Sequence, residues 1–342
     1  MDNFIKQNKE EFLIILNESS ERMGLSPNII EKDLWVCWVL KCLYSIPEIA
    51  PYIIFKGGTS LSKAYNLIDR FSEDCDITIN KKILGLLKDP KEENISNKEI
   101  VRRVDGIILA AQDFIKNNIL TSLRKEMGNF LDSKSYRLDL EDDLQTILFS
   151  YPSCFRITGD DKNNLYIKPT IRLEFGARGG TIPKEDKYIK PYIAEIFPNL
   201  FKQSRCLVPV LSAERTFWEK ITILHSLYHK HIIGKKIGHR MSRHYYDVYI
   251  LNQKGISENA LKEKDLLKEV TKNNMIFFKD NNKAYETSAI GTLKLYPSNE
   301  MRLELKKDYN DMQEMFMHEQ ISFEEIINNI YKLEQEINNL VK

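Results

Sequence analysis

The sequence predicts an α+β fold, with a mixed sheet flanked by helices and an all-helical C-terminal part. Three observations support this prediction. Within residues 52–79 a buried strand, a Gly-Gly turn, a helix and a second strand follow one another. Across residues 135–176 apolar and polar side chains alternate with the period of two that strands require. After Pro198 the pattern becomes helical, so we expect one domain at 1–198 and a helical domain at 199–342.

The composition is that of a globular protein. The 342 residues are 42% hydrophobic and 29% charged, and the net charge of +1 neither favours nor excludes a nucleic-acid partner. The five cysteines are scattered without a Cys-x-x-Cys pair, which predicts reduced thiols in a cytoplasmic protein rather than disulfides or a zinc site. The acidic start does not resemble a signal peptide, and the longest apolar run, residues 34–43, is interrupted by Lys41 and too short to span a membrane.

Two helices are expected at the start of the chain. Residues 4–24 carry apolar side chains at helical spacing, and Gly24 ends the segment. Ser26 and Pro27 are typical of a helix start, and this second helix extends to about residue 44. Its charged triplet Glu31-Lys32-Asp33 is interpreted as a solvated first turn with local ion pairs.

The next unit carries the strongest chemical signal. Residues 52–55 form an apolar strand, the paired glycines end it, and a helix is expected over residues 60–68. In the second strand Asp74 and Asp76 share one face, because side chains alternate along a strand. Two adjacent carboxylates suit Mg²⁺, which takes a few carboxylates together with substrate phosphates and water. The glycine turn before a helix offers backbone N–H groups to a phosphate.

After a charged surface loop over residues 81–97, a long amphipathic helix over residues 99–127 is followed by a strand-rich region. Strands are expected at residues 136–140, 144–151 and 165–175. In the last of these, Glu174 lies on the polar face. It is interpreted as a third carboxylate that completes a two-metal site, with a solvated strand glutamate as the alternative.

The C-terminal part is expected to be helical. Residues 207–211 form a short link, and Ser212 caps a helix that extends to about residue 231 and contains Glu219 and Lys220. Further helices are expected at about 257–270 and 301–340.

A basic segment follows the helix that extends to about residue 231. Clustered cations beside Tyr245 and Tyr246 suit RNA backbone contact and base stacking, while a solvated turn is the alternative. The possible RNA-contacting residues are Lys235, Lys236, Arg240 and Arg243.

Two motifs together resemble a known family. The run from Phe55 to Lys63 reads Phe-Lys-Gly-Gly-Thr-Ser-Leu-Ser-Lys, and the run from Arg70 to Asp76 reads Arg-Phe-Ser-Glu-Asp-Cys-Asp. These motifs resemble those of the AbiEii/AbiGii-type nucleotidyltransferase toxins of the polymerase-β-like superfamily. The resemblance covers nearly the whole chain and implies a polymerase-β-like nucleotidyltransferase core in the first domain.

The resemblance also implies an activity. Such an enzyme depends on Mg²⁺, in a two-metal site, and transfers NMP from an NTP to an acceptor, which can be the 3′ end of tRNA. It acts as the toxin of a phage-defence, or abortive-infection, toxin–antitoxin system, opposed by a separately encoded antitoxin. No membrane is involved.

The resemblance assigns roles to individual positions. The metal pair is Asp74 and Asp76, Lys220 would hold the triphosphate, and Asp247 matches a late aspartate in the helical domain. Two departures are Glu174, where the third carboxylate is often Asp, and His244, where the family commonly has Asp. The nucleotide-binding positions expected from the motifs are Lys56, Gly57, Gly58, Thr59, Ser60, Arg70 and Ser72.

Two other functions are compatible with the same motifs. The first is a nucleotidyltransferase that modifies hydroxyl groups of proteins or small molecules. The second is a protein that binds nucleotide or RNA without catalysis, although the intact Asp74/Asp76 pair and Lys220 argue against it. The sequence does not distinguish which NTP or which acceptor is used.

Overall fold

The computed structural model describes residues 1–85, 88–155, 168–278, 282–317 and 320–340. A seven-stranded mixed sheet lies at its centre, with the spatial order β3-β4-β5-β2-β1-β7-β6. The strands are β1 (Ile53–Lys56), β2 (Asp74–Ile79), β3 (Arg137–Leu140), β4 (Thr146–Ser150), β5 (Thr170–Gly176), β6 (Lys184–Ile189) and β7 (Cys206–Leu211). β1 is antiparallel to β2 and parallel to β7, while β2 is parallel to β5. The unit with the paired glycines and the two aspartates, which contains β1 and β2, therefore lies inside the sheet and not at its edge.

Helices precede, flank and follow this sheet. The α-helices are α1 (Lys9–Met23), α2 (Pro27–Tyr44), α3 (Gly57–Lys63), α4 (Asn97–Phe114), α5 (Leu120–Gly128), α6 (Ile193–Ile196), α7 (Ala213–Ile232), α8 (Ser242–Gln253), α9 (Ile256–Lys262), α10 (Lys264–Phe277), α11 (Asn282–Glu286), α12 (Asn299–Asp311) and α13 (Phe323–Asn339). The predicted α+β class, with a helical C-terminal part, is confirmed. In the described part of the chain no helix combines the length and apolarity that crossing a membrane requires.

The buried side chains form two clusters. The sheet core joins α1, α2, α4 and α5 to the sheet, and includes Trp35, which stacks on Tyr151 with ring centroids 5.6 Å apart. The helical core joins α7–α10, α12 and α13, and also takes in Leu61 of α3. The short helix α3, which also contacts β1 and β2, therefore lies between the sheet and the helical core. All five cysteines are free thiols, as predicted.

The charged triplet of α2 was predicted wrongly as a solvated turn. Glu31, Lys32 and Asp33 are each only 1% exposed, because each finds a partner far along the chain. Lys32 Nζ lies 2.5 Å from Glu73 Oε2, and Asp33 Oδ1 lies 2.7 Å from Lys63 Nζ. Paired in this way, the charges can be buried.

Several element boundaries differ from the prediction. The helix after β1 begins at Gly57 and ends at Lys63, so the glycines form its first turn instead of preceding it. The single helix expected over residues 99–127 is α4 and α5 joined by a π-helical turn at Ile115–Ile119. β4 begins two residues later than expected, and β5 begins at Thr170. Residues 165–167 of that predicted strand lie outside the described residues.

The segment predicted as a link at residues 207–211 is the strand β7. It pairs in parallel with β1, and antiparallel with β6 over six residue pairs. This strand follows residue 198, so the sheet includes residues from both sides of the predicted domain boundary. That boundary itself stays a prediction.

Candidate active site

Asp74 and Asp76 lie on β2 and point to the same side of the sheet, as predicted. Cys75 and Ile77 alternate with them and are buried on the opposite side. Asp76 pairs with Lys56 across the β1–β2 ladder, so the end of β1 brings a cation beside the second aspartate. Desolvation by the surrounding protein raises the pKa of Asp76, and Lys56 and Arg243 oppose that rise. A further cation near Asp76 would thus relieve an unfavourable charge.

The paired glycines let the start of α3 approach these side chains. A Cβ atom at Gly57 would lie 2.0 Å from Asp76 Oδ2, and the backbone there has a φ of +78°. A Cβ at Gly58 would lie 2.8 Å from an Arg70 guanidinium nitrogen. At both positions glycine avoids a steric clash with these side chains, and at Gly57 it also permits the left-handed backbone conformation.

The two hydroxyls that follow the glycines are used inside the protein. Thr59 and Ser60 are fully buried. Thr59 Oγ1 donates to Asp74 O and lies 2.9 Å from Ser72 Oγ, and Ser60 Oγ donates to Gly57 O at 2.9 Å. The bond from Thr59 to Asp74 holds α3 against β2, and the bond from Ser60 to Gly57 lies within α3. The predicted phosphate contact of Ser60 stays a prediction.

A buried charged trio connects the sheet to the helical part. Asp247 of α8 is fully buried and accepts hydrogen bonds from Arg70, at 2.7 Å from Nε and 2.8 Å from Nη2. Lys220 Nζ of α7 lies 2.7 Å from Asp247 Oδ2. Although burial alone would raise the pKa of Asp247, Arg70 and Lys220 hold it below its ordinary value. Asp247 therefore fixes two cations at the edge of the site.

Two more ion pairs complete the charge pattern. Lys56 Nζ lies 3.2 Å from Glu219 Oε2, and Arg243 Nη1 lies 3.4 Å from Asp74 Oδ2. The charge of Glu219 raises the pKa of Lys56. The sequence analysis placed Glu219 on its helix but gave it no role. Its position next to Lys220, among the apolar residues of α7, was the available signal.

These elements enclose one pocket. Four residues not among the predicted site residues line it: Thr216, Glu219, Ile223 and His244. The predicted residues that line it are Lys56, Gly57, Gly58, Arg70, Ser72, Asp74, Asp76, Lys220 and Arg243. Of the predicted residues, Asp247, Thr59 and Ser60 lie behind its wall.

His244 is a half-buried member of this wall, and its Nδ1 atom is buried without a hydrogen-bond partner. Burial and the nearby charges of Lys220 and Arg243 keep the pKa of His244 well below its ordinary value. The imidazole is therefore neutral at pH 7. This neutral ring stands at the position where the family commonly has Asp.

The two aspartates fit a magnesium site of limited protein ligation. Glu174 sits opposite Asp76 on β5, and its Oε1 accepts a hydrogen bond from Arg172 Nε at 3.1 Å. Burial and the charge of Asp76 raise the pKa of Glu174. Among the described residues no three His, Cys, Asp or Glu side chains are arranged to hold a metal ion. A Mg²⁺ here would be held by Asp74 and Asp76 and would take further ligands from water and phosphate, and the metal role of Glu174 beside Asp76 stays a prediction.

The basic segment before α8 has an exposed part and a part that is paired with the rest of the protein. Lys235 and Lys236 are exposed, whereas Arg240 Nη1 lies 2.6 Å from Glu73 Oε1. Tyr245 and Tyr246 are 0% and 3% exposed. The suggestion that these two rings stack on RNA bases is therefore wrong, because both pack in the helical core.

Comparisons with known proteins identify the family. The family model described as nucleotidyl transferase AbiEii toxin, type IV toxin–antitoxin system, matches residues 38–329. The comparison with curated proteins gave no match. Among solved structures, the chain is similar to MenT4, a nucleotidyltransferase toxin from Mycobacterium tuberculosis H37Rv, with 13% identity and a TM-score of 0.45 over 94% of this chain and 98% of that one. Since the family model spans most of the sequence, the chain belongs to the AbiEii nucleotidyltransferase toxin family of type IV toxin–antitoxin systems.

Proposed function

We propose that this toxin transfers NMP from an NTP to the 3′ end of tRNA, with Mg²⁺ as the cofactor. The observation that carries the proposal is the composition of the pocket. The carboxylates of β2 line it together with cations from β1, α7 and α8. Such a pocket suits a triphosphate, whose negative charge needs both a metal ion and fixed cations. The proposed setting is a cytoplasmic phage-defence system with a separately encoded antitoxin.

The cofactor and the cations have separate tasks in this proposal. Mg²⁺ bound by Asp74 and Asp76 would lower the pKa of the attacking hydroxyl and stabilise the leaving pyrophosphate. Lys56, Lys220 and Arg243 would contact phosphate oxygens, because all three are cations that line the pocket. Glu174 would add a carboxylate beside Asp76.

Asp247 has a positioning task. It holds Arg70 and Lys220 in place from behind the pocket wall, without lining the pocket itself. The exposed Lys235 and Lys236 would contact the phosphate backbone of an RNA acceptor. Arg240 and Arg243 would add to this contact only by exchanging their present carboxylate partners.

Labelling separates the proposed acceptor from its rival. The purified protein is incubated with Mg²⁺ and each of the four α-labelled NTPs, in the presence of total RNA or of total protein. We expect label in the tRNA fraction. Label in the protein fraction alone would favour modification of protein hydroxyls. Absence of transfer and of pyrophosphate release with every NTP would favour a binding protein without catalysis.

Variants test the assigned residues. We expect Asp76→Asn and Lys220→Ala to lower transfer by about a hundredfold or more, because each removes charge that faces the triphosphate. The matched controls are Asp265→Asn and Lys268→Ala, an exposed ion pair on α10. The controls should keep parental activity and toxicity on induction. Full toxicity of either site variant would contradict the mechanism.

A further inference from the structure

A second cavity adjoins the catalytic pocket. The two cavities share Lys56, Asp76, Glu219 and Ile223, so the Lys56–Glu219 ion pair stands in their common wall. A ligand whose phosphates occupy the catalytic pocket can therefore place an attached group in the second cavity. Among the residues that line only the second cavity, Glu174 was assigned to the metal site and none was assigned to nucleotide binding.

Two flat groups, a guanidinium and an aromatic ring, line one part of the second cavity. The guanidinium carbon of Arg178 lies 4.9 Å from the centre of the Phe278 ring, and both side chains line the cavity. Guanidinium planes and aromatic faces are the groups on which nucleic-acid bases stack. This pair is a suitable platform for a flat heterocycle.

Asn273 adds a hydrogen-bonding group with a defined polarity. Its side chain is 3% exposed and lines the same cavity. Its Nδ2 donates to the carbonyl oxygen of Arg178 at 2.8 Å, and since a carbonyl only accepts, the amide orientation is fixed. The remaining Oδ1 is buried and has no hydrogen-bond partner. A buried acceptor without a donor is unfavourable, and a ligand N–H would relieve that cost.

We infer that this second cavity binds a nucleobase, with Asn273 Oδ1 accepting a hydrogen bond from an exocyclic amino group. Cytosine, adenine and guanine each have such a group on their pairing edge, whereas uracil has none and presents a carbonyl oxygen where cytosine has its amino group. The base belongs either to the incoming NTP or to the terminal nucleotide of the acceptor. This inference rests on the proposed function, since it takes the adjoining pocket as the triphosphate site.

Binding measurements test the inference without requiring turnover. Calorimetry on the full-length protein compares CTP, UTP and inorganic tripolyphosphate, because CTP and UTP differ at the amino position and tripolyphosphate has no base. A second arm uses short RNA oligonucleotides that end in C or in U, added in the presence of tripolyphosphate. We expect the C-containing ligand of one arm to bind more tightly than its U-containing counterpart. A preference in the first arm assigns the base to the NTP, and one in the second arm assigns it to the acceptor.

The variant Asn273→Ala should reduce that preference about five- to tenfold, while tripolyphosphate binding stays unchanged. The matched control is Asn259→Ala, the same substitution at an exposed position on α9, which should keep the parental preference. Equal binding of the C- and U-containing ligands by the parent protein in both arms would overturn the inference.

A second variant guards against a folding defect, because Asn273→Ala also leaves the Arg178 carbonyl without its donor. Phe278→Leu keeps Asn273 and removes the aromatic face. This variant should lower the affinity for both nucleotides, or for both oligonucleotides, and leave the affinity for tripolyphosphate unchanged. If Phe278→Leu binds every ligand as the parent does, the cavity does not hold a base. If the parent protein binds neither tripolyphosphate nor any nucleotide, the proposed function itself fails.

Discussion

Gly57 occupies a position that its neighbour Asp76 closes to any side chain. A Cβ atom added at this residue would lie 2.0 Å from Asp76 Oδ2, which is far below van der Waals contact. The positive φ of +78° adds a second reason for glycine. The same residue thus sets the backbone of α3 and the position of the Asp76 carboxylate.

We expect Gly57→Ala to reduce nucleotidyl transfer by about tenfold or more, because the new methyl group displaces the Asp76 carboxylate. The measurement is labelled NMP transfer together with thermal unfolding. Gly24→Ala is the matched control: its φ is +66° and a Cβ there meets nothing within 4 Å. The control should lose a comparable amount of stability from backbone strain, about 1 kcal/mol, and keep its rate of NMP transfer unchanged. If both variants lose activity equally, displacement of Asp76 is not the cause.

At the residue scale, local chemistry was predictable and long-range partnership was not. Asp74 and Asp76 share a face because strand periodicity alone determines it. Lys32 was predicted as solvated because its partner Glu73 lies 41 residues away. Tyr245 was suggested as a ring that stacks on RNA bases for the same reason, since nothing in the adjacent sequence shows the packing of α8 against α7 and α13.

The helix α7 combines pocket-lining and structural side chains. Glu219 and Lys220 line the pocket, while His225, about a turn and a half further along, is fully buried. His225 Nδ1 accepts a hydrogen bond from Lys294 N at 2.9 Å, so its proton lies on Nε2, which donates to Ala284 O at 2.8 Å. Protonation of Nδ1 would break the first of these bonds, and burial lowers the pKa of His225 to about 4.

The free energy of unfolding should therefore fall in acid. The unfolded chain takes up a proton at His225 near its ordinary pKa of about 6.5, before the folded chain does. The stability from the neutral ring is complete above that pH and is lost as pH falls towards 4, by about 2–3 kcal/mol. Urea unfolding at pH 7 and at about pH 4.5 measures the loss. His225→Gln should show a smaller loss than the parent, whereas exposed His239→Gln should not. Identical losses in all three proteins would contradict the assignment.

At the element scale, pattern and composition were reliable for amphipathic helices and unreliable for one strand. Ser212 was expected to cap a helix, and its Oγ accepts a hydrogen bond from Arg215 N at 3.2 Å. β7 was interpreted as a link because it is short and contains Pro209. Its partners β1 and β6 lie elsewhere in the sequence, and their pairing with it decides its conformation.

The two hydrophobic cores are tied together by buried ion pairs. Arg70, which precedes β2, is held by Asp247 of α8, and Glu73 is held by both Lys32 of α2 and Arg240. Separating the cores would leave these charges without partners, at a cost of several kcal/mol. We expect the described parts of both halves to unfold together.

Tryptophan fluorescence can test this cooperativity. Trp35 and Trp38 lie in the sheet core, and Trp218 lies in the helical core. In Trp218→Phe the remaining indoles report on the sheet core, while far-ultraviolet circular dichroism reports mainly on helices. We expect the two thermal midpoints of this variant to coincide within about 2 °C. In the parent protein the fluorescence midpoint should match as well. Midpoints that differ by more than about 5 °C would show that the cores unfold separately.

The ion pairs around the pocket also bear on how charged ligands reach it. Lys56, Lys220 and Arg243 each already have a carboxylate partner in the protein. The cleft is thus internally neutralised, and it projects a weaker field than three unpaired cations would. In the proposed mechanism an arriving triphosphate would compete with Glu219 for Lys56 and with Asp74 for Arg243, so we expect local rearrangement to limit its association more than long-range electrostatic steering does. The toxin can in this way hold several cations in one cleft without attracting every polyanion in its surroundings.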